Sequence, residues 1–521
     1  MTVYSQVGIA LGDDSSRQRP SNLEQEYGLA IDETPSRWKK LDKDLKRIGR
    51  VEYATRSVWR PLVAPATALA FIALASAIAA LVLGVEDTSV IVVIAAGLGA
   101  YMALNIGAND VANNMGPAVG ARALTMGGAL LVAAIFECAG ALIAGGDVVG
   151  TISKGIIDPA SVATPEVFVF AMIAALVASA VWVNLATVLG APVSTTHAVV
   201  GGVMGAGIAA AGVSAVDWSV MGAIAASWVV SPVLGGGVAA GLLAFVNVII
   251  VNREDVLGAA RRWVPVLIGV MAGTFGAYLV LKGLKHLVKV DIAGALLIGA
   301  AVGTAAALIS VPFVRRTSVG LENRKKSLRA MFGLPLVISA ALLSFAHGAN
   351  DVANAVGPLA AVVHVMGAGD VAADVSIPSW VMVIGAFGLS LGLFLFGPKL
   401  IRMVGDQITK LNPVRAYCVA LSAAVTVIVA SWLGLPVSST HIAVGGVFGV
   451  GFFREWDESR RIRKETQQKP AKLHGTEERR RRKLVRRSHF MTIVAAWIVT
   501  VPASALLSAL VFLAIGLVMG S

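Results

Sequence analysis

Two stretches of the 521-residue chain place the same polar set in apolar surroundings: GANDVANNMGP at 107–117 and GANDVANAVGP at 348–358. Nine of the eleven positions are identical. Each stretch supplies a carboxylate, Asp110 or Asp351, with amides on either side: Asn109 and Asn113 in the first, Asn350 and Asn354 in the second. The amides are four residues apart, so on a helix they share a face with the carboxylate beside it. Gly107, Gly116 and Pro117, and their copies Gly348, Gly357 and Pro358, are expected to interrupt the helix and free backbone carbonyls. Carboxylate, amide and carbonyl oxygens together suit a hard cation such as Na⁺. A single Asn would be explained by hydrogen bonding between helices. A duplicated Asn-Asp-x-x-Asn set, Gly on one side and Gly-Pro on the other, points to a site.

A second duplicated motif asks for the opposite charge. In PVSTTH and PVSSTH, Pro192 and Pro436 end one segment and Ser194 and Ser438 are placed to cap the next helix. A helix N-terminus with free N–H groups, beside the hydroxyls of Ser194, Thr195 and Thr196 or of Ser438, Ser439 and Thr440, suits an anion. Back-bonding of these hydroxyls to their own chain is the plainer alternative, and the repetition weighs against it. His197 and His441 follow the clusters; a structural hydrogen bond, proton coupling and orientation of the anion are all open to them.

The elements that position these residues must be membrane helices. The chain is 56% hydrophobic and 14% charged, where a soluble chain carries about a quarter charged residues. Its mean hydropathy is +0.78. Apolar runs long enough to cross a bilayer fall at 62–84, 89–106, 127–145, 166–189, 219–251, 263–281, 292–314, 332–346, 379–397, 416–433 and 490–519. The runs 197–213 and 441–453 are shorter, and either crossing or dipping as hairpins fits them. Fifty-five glycines suit close helix packing in lipid. No secretory leader is expected, and Cys138 and Cys418 read as small core residues.

Charge sets the orientation. Lys and Arg number 43 against 31 Asp and Glu, a net charge of +12. The basic clusters at 37–60, 253–262, 315–329 and 460–490 read as cytoplasmic loops rather than as a nucleic-acid surface, with anionic headgroups as a further contact for the last. With 1–60 inside, crossing parity brings the two GAND segments into the membrane from opposite faces, an inverted-topology repeat. Further pairs support it: LGAPVSTTHAVVGGVMGAG at 189–207 with LGLPVSSTHIAVGGVFGVG at 433–451, and ASWVVSP at 226–232 with AAWIVTVP at 495–502. The expected architecture is all-α and polytopic, with two repeats of about five membrane segments containing broken helices or hairpins. Its parts are a mostly disordered cytoplasmic tail (1–61), an extra helix (62–84), repeat 1 (89–252), a two-helix connector (253–331) and repeat 2 (332–521, with a basic loop at 454–489). The N-terminus would be cytoplasmic and the C-terminus external, in the plasma (inner) membrane.

GANDVAN in both halves, with PVSTTH and PVSSTH, resembles the inorganic phosphate transporter (PiT) family. AIFECAGALIAGGDVVGTISKGIID (134–158) and VAAWIVTVPASALLSAL (494–510) are similar to it as well. The likeness covers about 89–252 and 332–519. It implies cation-coupled symport of orthophosphate by an elevator-like or rocking movement of the repeats, with Na⁺ in many members and protons or metal–phosphate complexes in others. Carried over by motif, Asn109, Asp110, Asn350 and Asp351 would hold cations. Asn113, Asn354 and the two hydroxyl clusters would hold phosphate. Glu137 lies in the FE element of sodium-coupled relatives and implies an extra cation site; its alternative is a carboxylate paired within the bundle. The corresponding region 385–392 has no carboxylate. Asn114 stands where the family has Ala, and an adjustment of packing is expected there.

The expected partners are inorganic phosphate, Na⁺ or H⁺ and membrane lipid, with no nucleic acid and no further cofactor; a homodimer fits the reading. Sulfate is the rival substrate, but phosphate at neutral pH offers a proton to the Asp and Asn acceptors and sulfate does not. An intramembrane aspartyl protease built on Asp110 and Asp351 would lack its YD and GxGD motifs, so no enzyme is expected. A passive channel or sensor would have no use for buried carboxylates in repeats.

Overall fold

The computed structural model describes residues 62–82, 89–157, 161–191, 193–283, 290–368, 377–407, 411–468 and 487–519. The expected disordered tail and residues 469–486 of the basic loop lie outside the described residues. From Ala64 onward the chain forms one compact unit. It is helical throughout, apart from a single β-bridge between Ile157 and Val216 among the described residues.

In chain order, α1 is Leu62–Val82. The first half contains α2 (Ser89–Gly120), α3 (Met126–Ala144), the short α4 (Gly146–Lys154), α5 (Pro165–Leu189), α6 (Thr195–Ala211) and α7 (Trp218–Val246). A π-helical turn, Asn247–Val251, extends α7. The pair α8 (Val256–Gly283) and α9 (Ile292–Thr317) follows, then the one-turn α10 (Leu328–Met331). The second half contains α11 (Gly333–Asp351), α12 (Ala353–Ala368), α13 (Ser379–Gln407), α14 (Pro413–Trp432), α15 (Ser439–Gln468) and α16 (Arg487–Met519). Eleven helical segments among the described residues are long and apolar enough to cross a membrane, and they match the eleven apolar runs of the sequence. Apolarity is not burial, however. The most apolar window of Gly333–Gly367 is 89% buried, that of Leu62–Val82 only 11%. The α11–α12 segment is the centre of the molecule, whereas α1 lies at its edge.

Local chemistry explains the ends that matter. Thr164 caps α5 and Pro165 opens it, since Pro lacks the N–H that the first turn leaves unused. Gly190 ends α5 at φ 74°, and Gly434 adopts φ 69° two residues past α14. A left-handed residue just past a helix is a glycine's place. Each turn delivers the chain to a hydroxyl cluster.

The same contacts recur in the two halves. A Cβ on Gly107 would collide with the carbonyl of Leu389, and one on Gly392 with that of Leu104. Likewise Gly348 abuts the carbonyl of Glu137, and Gly140 that of Phe345. Gly201 and Gly205 of α6 meet the backbone at Val501 and Ala505 of α16; Gly445 and Gly449 of α15 meet Pro232 and Gly236 of α7. These are close helix crossings that only glycine admits.

They also correct one expectation. α2 runs unbroken through Gly107, Gly116 and Pro117. In the second copy the only interruption is at Val352, beside neither Gly357 nor Pro358. There Ala355 N–H bonds the Val352 carbonyl at 3.1 Å, a local i→i+3 tightening. Gly107 and Gly348 serve helix crossing, not helix breaking.

Candidate functional site

α2, α11, the start of α12 and the N-termini of α6 and α15 converge on one buried cluster. Each short helix starts as the sequence demands: Ser194 Oγ accepts the His197 N–H at 3.1 Å and Ser438 Oγ the His441 N–H at 3.2 Å. These caps hold the next hydroxyls toward the carboxylates. Thr195 Oγ1 donates to Asp110 Oδ2 at 2.8 Å, and Ser439 Oγ to Asp351 Oδ2 at 2.8 Å. Each carboxylate is thus met by the hydroxyl of its own repeat.

The amides cross between repeats. Asn113 Nδ2 donates to Thr440 Oγ1 at 2.8 Å, and Asn354 Nδ2 to Thr196 Oγ1 at 3.2 Å. Thr440 Oγ1 also lies 3.1 Å from Asp110 Oδ1, and Thr196 Oγ1 donates to the Val437 carbonyl at 3.1 Å. The residue types suggest a cation at the GAND motif and an anion at the hydroxyl motif, with Asn113 and Asn354 carried over to phosphate by the resemblance. The structure interleaves those motifs in a single buried cluster.

Asn109 and Asn350 face elsewhere. Asn109 Nδ2 donates to Thr187 Oγ1 at 2.9 Å, and Asn350 Nδ2 to Ser431 Oγ at 2.9 Å and the Leu435 carbonyl at 3.2 Å. Adjacent helical residues point about 100° apart, which separates each Asn from its neighbouring Asp. The acceptor oxygens Asn109 Oδ1, Asn350 Oδ1 and Asp351 Oδ1 are buried without a hydrogen-bond partner. Unpaired acceptors in a dry interior are costly, and a cation is the chemistry that would satisfy them.

The residue missed by sequence reasoning is His347. Its Nε2 lies 2.9 Å from Asp351 Oδ2 and 3.7 Å from Asp110 Oδ2; its Nδ1 lies 3.3 Å from Glu137 Oε1. The imidazole therefore links three carboxylates. Asn114 Nδ2 holds Glu137 Oε1 at 2.8 Å, while Glu137 Oε2 has no hydrogen-bond partner. Asn114 is thus more than packing. The available signal was positional: His347 precedes the second GAND where Ile106 precedes the first.

Beneath the hydroxyl clusters the rings of His197 and His441 meet edge-on, centroids 4.3 Å apart, with Trp228 3.9 Å from His197. Trp228 Nε1 donates to the Pro436 carbonyl at 3.3 Å, tying α7 to the α15 cap. Pro192, its partner in the first copy, lies outside the described residues.

Residues 106–508, which include this whole cluster, match the model of the phosphate transporter family. The chain belongs to that family. A Helicobacter pylori protein with the name "Putative phosphate permease" is 41% identical over 91% of this chain and 99% of its own length. A Pyrococcus abyssi protein of the same description is 37% identical over 80% of this chain and 95% of its own. A solved structure titled "The sodium-dependent phosphate transporter" superposes with a TM-score of 0.73 at 36% identity, covering 82% of this chain and all of that one. This family member is a multi-pass membrane protein, and phosphate transport is the activity its family carries.

Proposed function

We propose that the chain imports inorganic phosphate by symport with Na⁺, through alternating access of two inverted repeats. The observation that carries this is the twofold bonding pattern of the site. Each Asp accepts from its own repeat, and each second Asn reaches across to the other. Movement of one repeat against the other cannot leave such a site intact, so binding and access are linked.

Electrostatics supplies the coupling. Three buried carboxylates and a divalent phosphate share one imidazole, with no Lys or Arg in either motif. Two like charges about 4 Å apart repel by about 4 kcal/mol at an effective dielectric near 20. Cations offset that repulsion, so phosphate should bind with them and they with it. The sodium-dependent solved relative favours Na⁺. In this reading Asp110, Asp351, Asn109 and Asn350 hold the cations, with Glu137 one step behind. Asn113, Asn354 and the hydroxyls of Ser194, Thr195, Thr196, Ser438, Ser439 and Thr440 turn to the phosphate as it enters. His347 adds a group that can carry a proton between Glu137 and the aspartates.

A second reading keeps phosphate and changes its companion. Ligand atoms of Asp110, His347 and Asp351 lie within 4.8 Å of one another, a set that also fits a divalent ion carried with phosphate. The deciding experiment is radiolabelled phosphate uptake into proteoliposomes under imposed Na⁺ or proton gradients, with sulfate as competitor and with chelator. Uptake driven by Na⁺, resistant to sulfate and to chelator, is expected. Uptake abolished by chelator selects the divalent companion, and uptake indifferent to every gradient refutes symport. The orientation, with cytoplasmic N-terminus and external C-terminus, predicts that cysteines at Lys285 and Arg482, both outside the described residues, label from opposite sides.

A further inference from the structure

The α7–α15 and α6–α16 crossings are counterparts, and the first carries an open groove. It measures about 770 Å³ and runs along Gly237, Ala240, Gly241 and Ala244 of α7 and Phe448, Phe452 and Trp456 of α15. A Cβ on Gly237 or Gly241 would touch nothing. At the equivalent places, 269 residues on, α16 carries Leu506 and Leu510. One repeat builds a ridge where the other has a channel.

Charge gives the channel a direction. α7 and α15 run parallel, since Pro232 meets Gly445 and Gly236 meets Gly449. Their C-terminal ends therefore lie on the same side. α7 stays apolar to Val251 and is followed by Arg253. One turn beyond Trp456, the Arg460 guanidinium stacks over the indole at 4.3 Å. Acids lie close by as well: Glu455 and Glu458 act on Arg454, Asp457 follows Trp456, and Glu254 and Asp255 follow Arg253, where Asp255 accepts the Gly258 N–H. A half-exposed Trp followed by Arg is the signature of the membrane interface, where the ring sits among headgroups.

We propose that this groove is a binding site for one anionic phospholipid of the surrounding membrane. An acyl chain lies along Gly237 and Gly241 against Phe448 and Phe452. The headgroup phosphate meets Arg460 and Arg253. A second copy of the chain is the poorer occupant. Symmetric docking about an axis normal to the membrane would bring the arginines of both copies to one rim.

The test is native mass spectrometry of the purified full-length chain after exchange with phosphatidylglycerol or phosphatidylcholine, with thermal stability read in parallel. Wild type should retain phosphatidylglycerol preferentially, and be stabilised by it. Arg460→Gln should reduce that preference about fivefold, the loss expected for one basic group at a charged surface. Gly237→Leu with Gly241→Leu, which imports the residues of the other repeat, should abolish retention of both lipids. Phosphate uptake in the same preparation reports whether each variant is folded. Equal retention of the two lipids by wild type, or unchanged preference in Arg460→Gln, overturns the proposal. So does disulfide formation between copies through cysteines placed at 237 or 241, which would make the groove a subunit contact.

Discussion

The two GAND helices differ in what surrounds an identical motif. In the first, Ile106 precedes the motif and Asn114 follows Asn113, inside the unbroken α2. In the second, His347 and Ala355 take those places, with an interruption at Val352. The glycine contacts pair Glu137 with Leu389 in the same way, because each carbonyl faces the first glycine of the opposite motif. The two aspartates, the crossing amides and the capping hydroxyls are therefore paired between the copies, apart from Thr440, which also reaches Asp110 where Thr196 turns to the Val437 carbonyl; Asn114, Glu137 and His347 form a single chain present once. The symmetric frame would bind cargo in either orientation of the repeats. Under the proposed alternating access, the asymmetric chain would make the two orientations unequal in charge content. Substitutions that remove the symmetry, or restore it, separate these contributions.

The largest effect should come from the symmetric centre. Asp110→Asn and Asp351→Asn keep the shape but each removes a buried charge that faces His347 and a hydroxyl. Each should abolish Na⁺-driven phosphate uptake while leaving the protein in the membrane, measured as uptake per molecule at the surface. Wild-type cation dependence in either variant would remove that residue from the cation site and break the equivalence of the two copies.

Next comes His347→Ile, which gives the second copy the residue of the first. Glu137 and the aspartates lose the partner they share among the described residues. Uptake should fall at least about 10-fold, since losing one ion-paired contact to a buried carboxylate costs about 1.5–3 kcal/mol and His347 faces three. What remains should vary less with pH, because the variant lacks the imidazole that can exchange a proton among the three carboxylates. An unchanged pH profile with reduced uptake would make His347 a spacer rather than a proton carrier.

Thr196→Val and Thr440→Val test the crossing bonds. Each loses the hydroxyl that an Asn of the other repeat engages. A charged hydrogen bond to phosphate is worth about 1.5–3 kcal/mol, so affinity at saturating Na⁺ should fall roughly 10- to 150-fold. Because one anion is shared, the double variant should cost less than the sum. Unchanged affinity in both single variants would place phosphate elsewhere and leave the hydroxyls as cap neighbours.

How much of this was legible depends on which physical signal each feature leaves in one dimension. Apolar runs marked the spans, and duplicated motifs marked the aspartates, the caps and the hydroxyls. The role of Gly107 did not show, because a helix break and a helix crossing both ask for glycine, and only the carbonyl of Leu389 tells them apart. The turning away of Asn109 from Asp110 was latent in helical geometry, since neighbours on a helix face different elements. His347 was hidden for a different reason. A lone imidazole beside an apolar run has many structural uses, and its partner Glu137 lies on another helix, 210 positions earlier in sequence. Contacts of that span leave no local pattern.

The smallest effect should belong to Asn114, the outermost member of the asymmetric chain. Asn114→Ala restores the residue of the second copy, Ala355, and removes the 2.8 Å bond to Glu137 Oε1. Glu137 keeps its place beside His347, so the site itself is unaltered. The cost should be that of one buried hydrogen bond to a carboxylate, about 1.5 kcal/mol at the low end of the charged range, or roughly tenfold if all of it reaches transport. If Asn114 acts through Glu137 and His347, the loss should appear as a displaced pH profile with phosphate affinity at saturating Na⁺ little changed. It should also vanish in a His347→Ile background, because the two substitutions then act on one pathway. If Asn114 only packs, its effect on uptake should add to that of His347→Ile and leave the pH profile where it was. The double-variant cycle therefore decides whether the asymmetric residues form one connected device or three separate departures from symmetry.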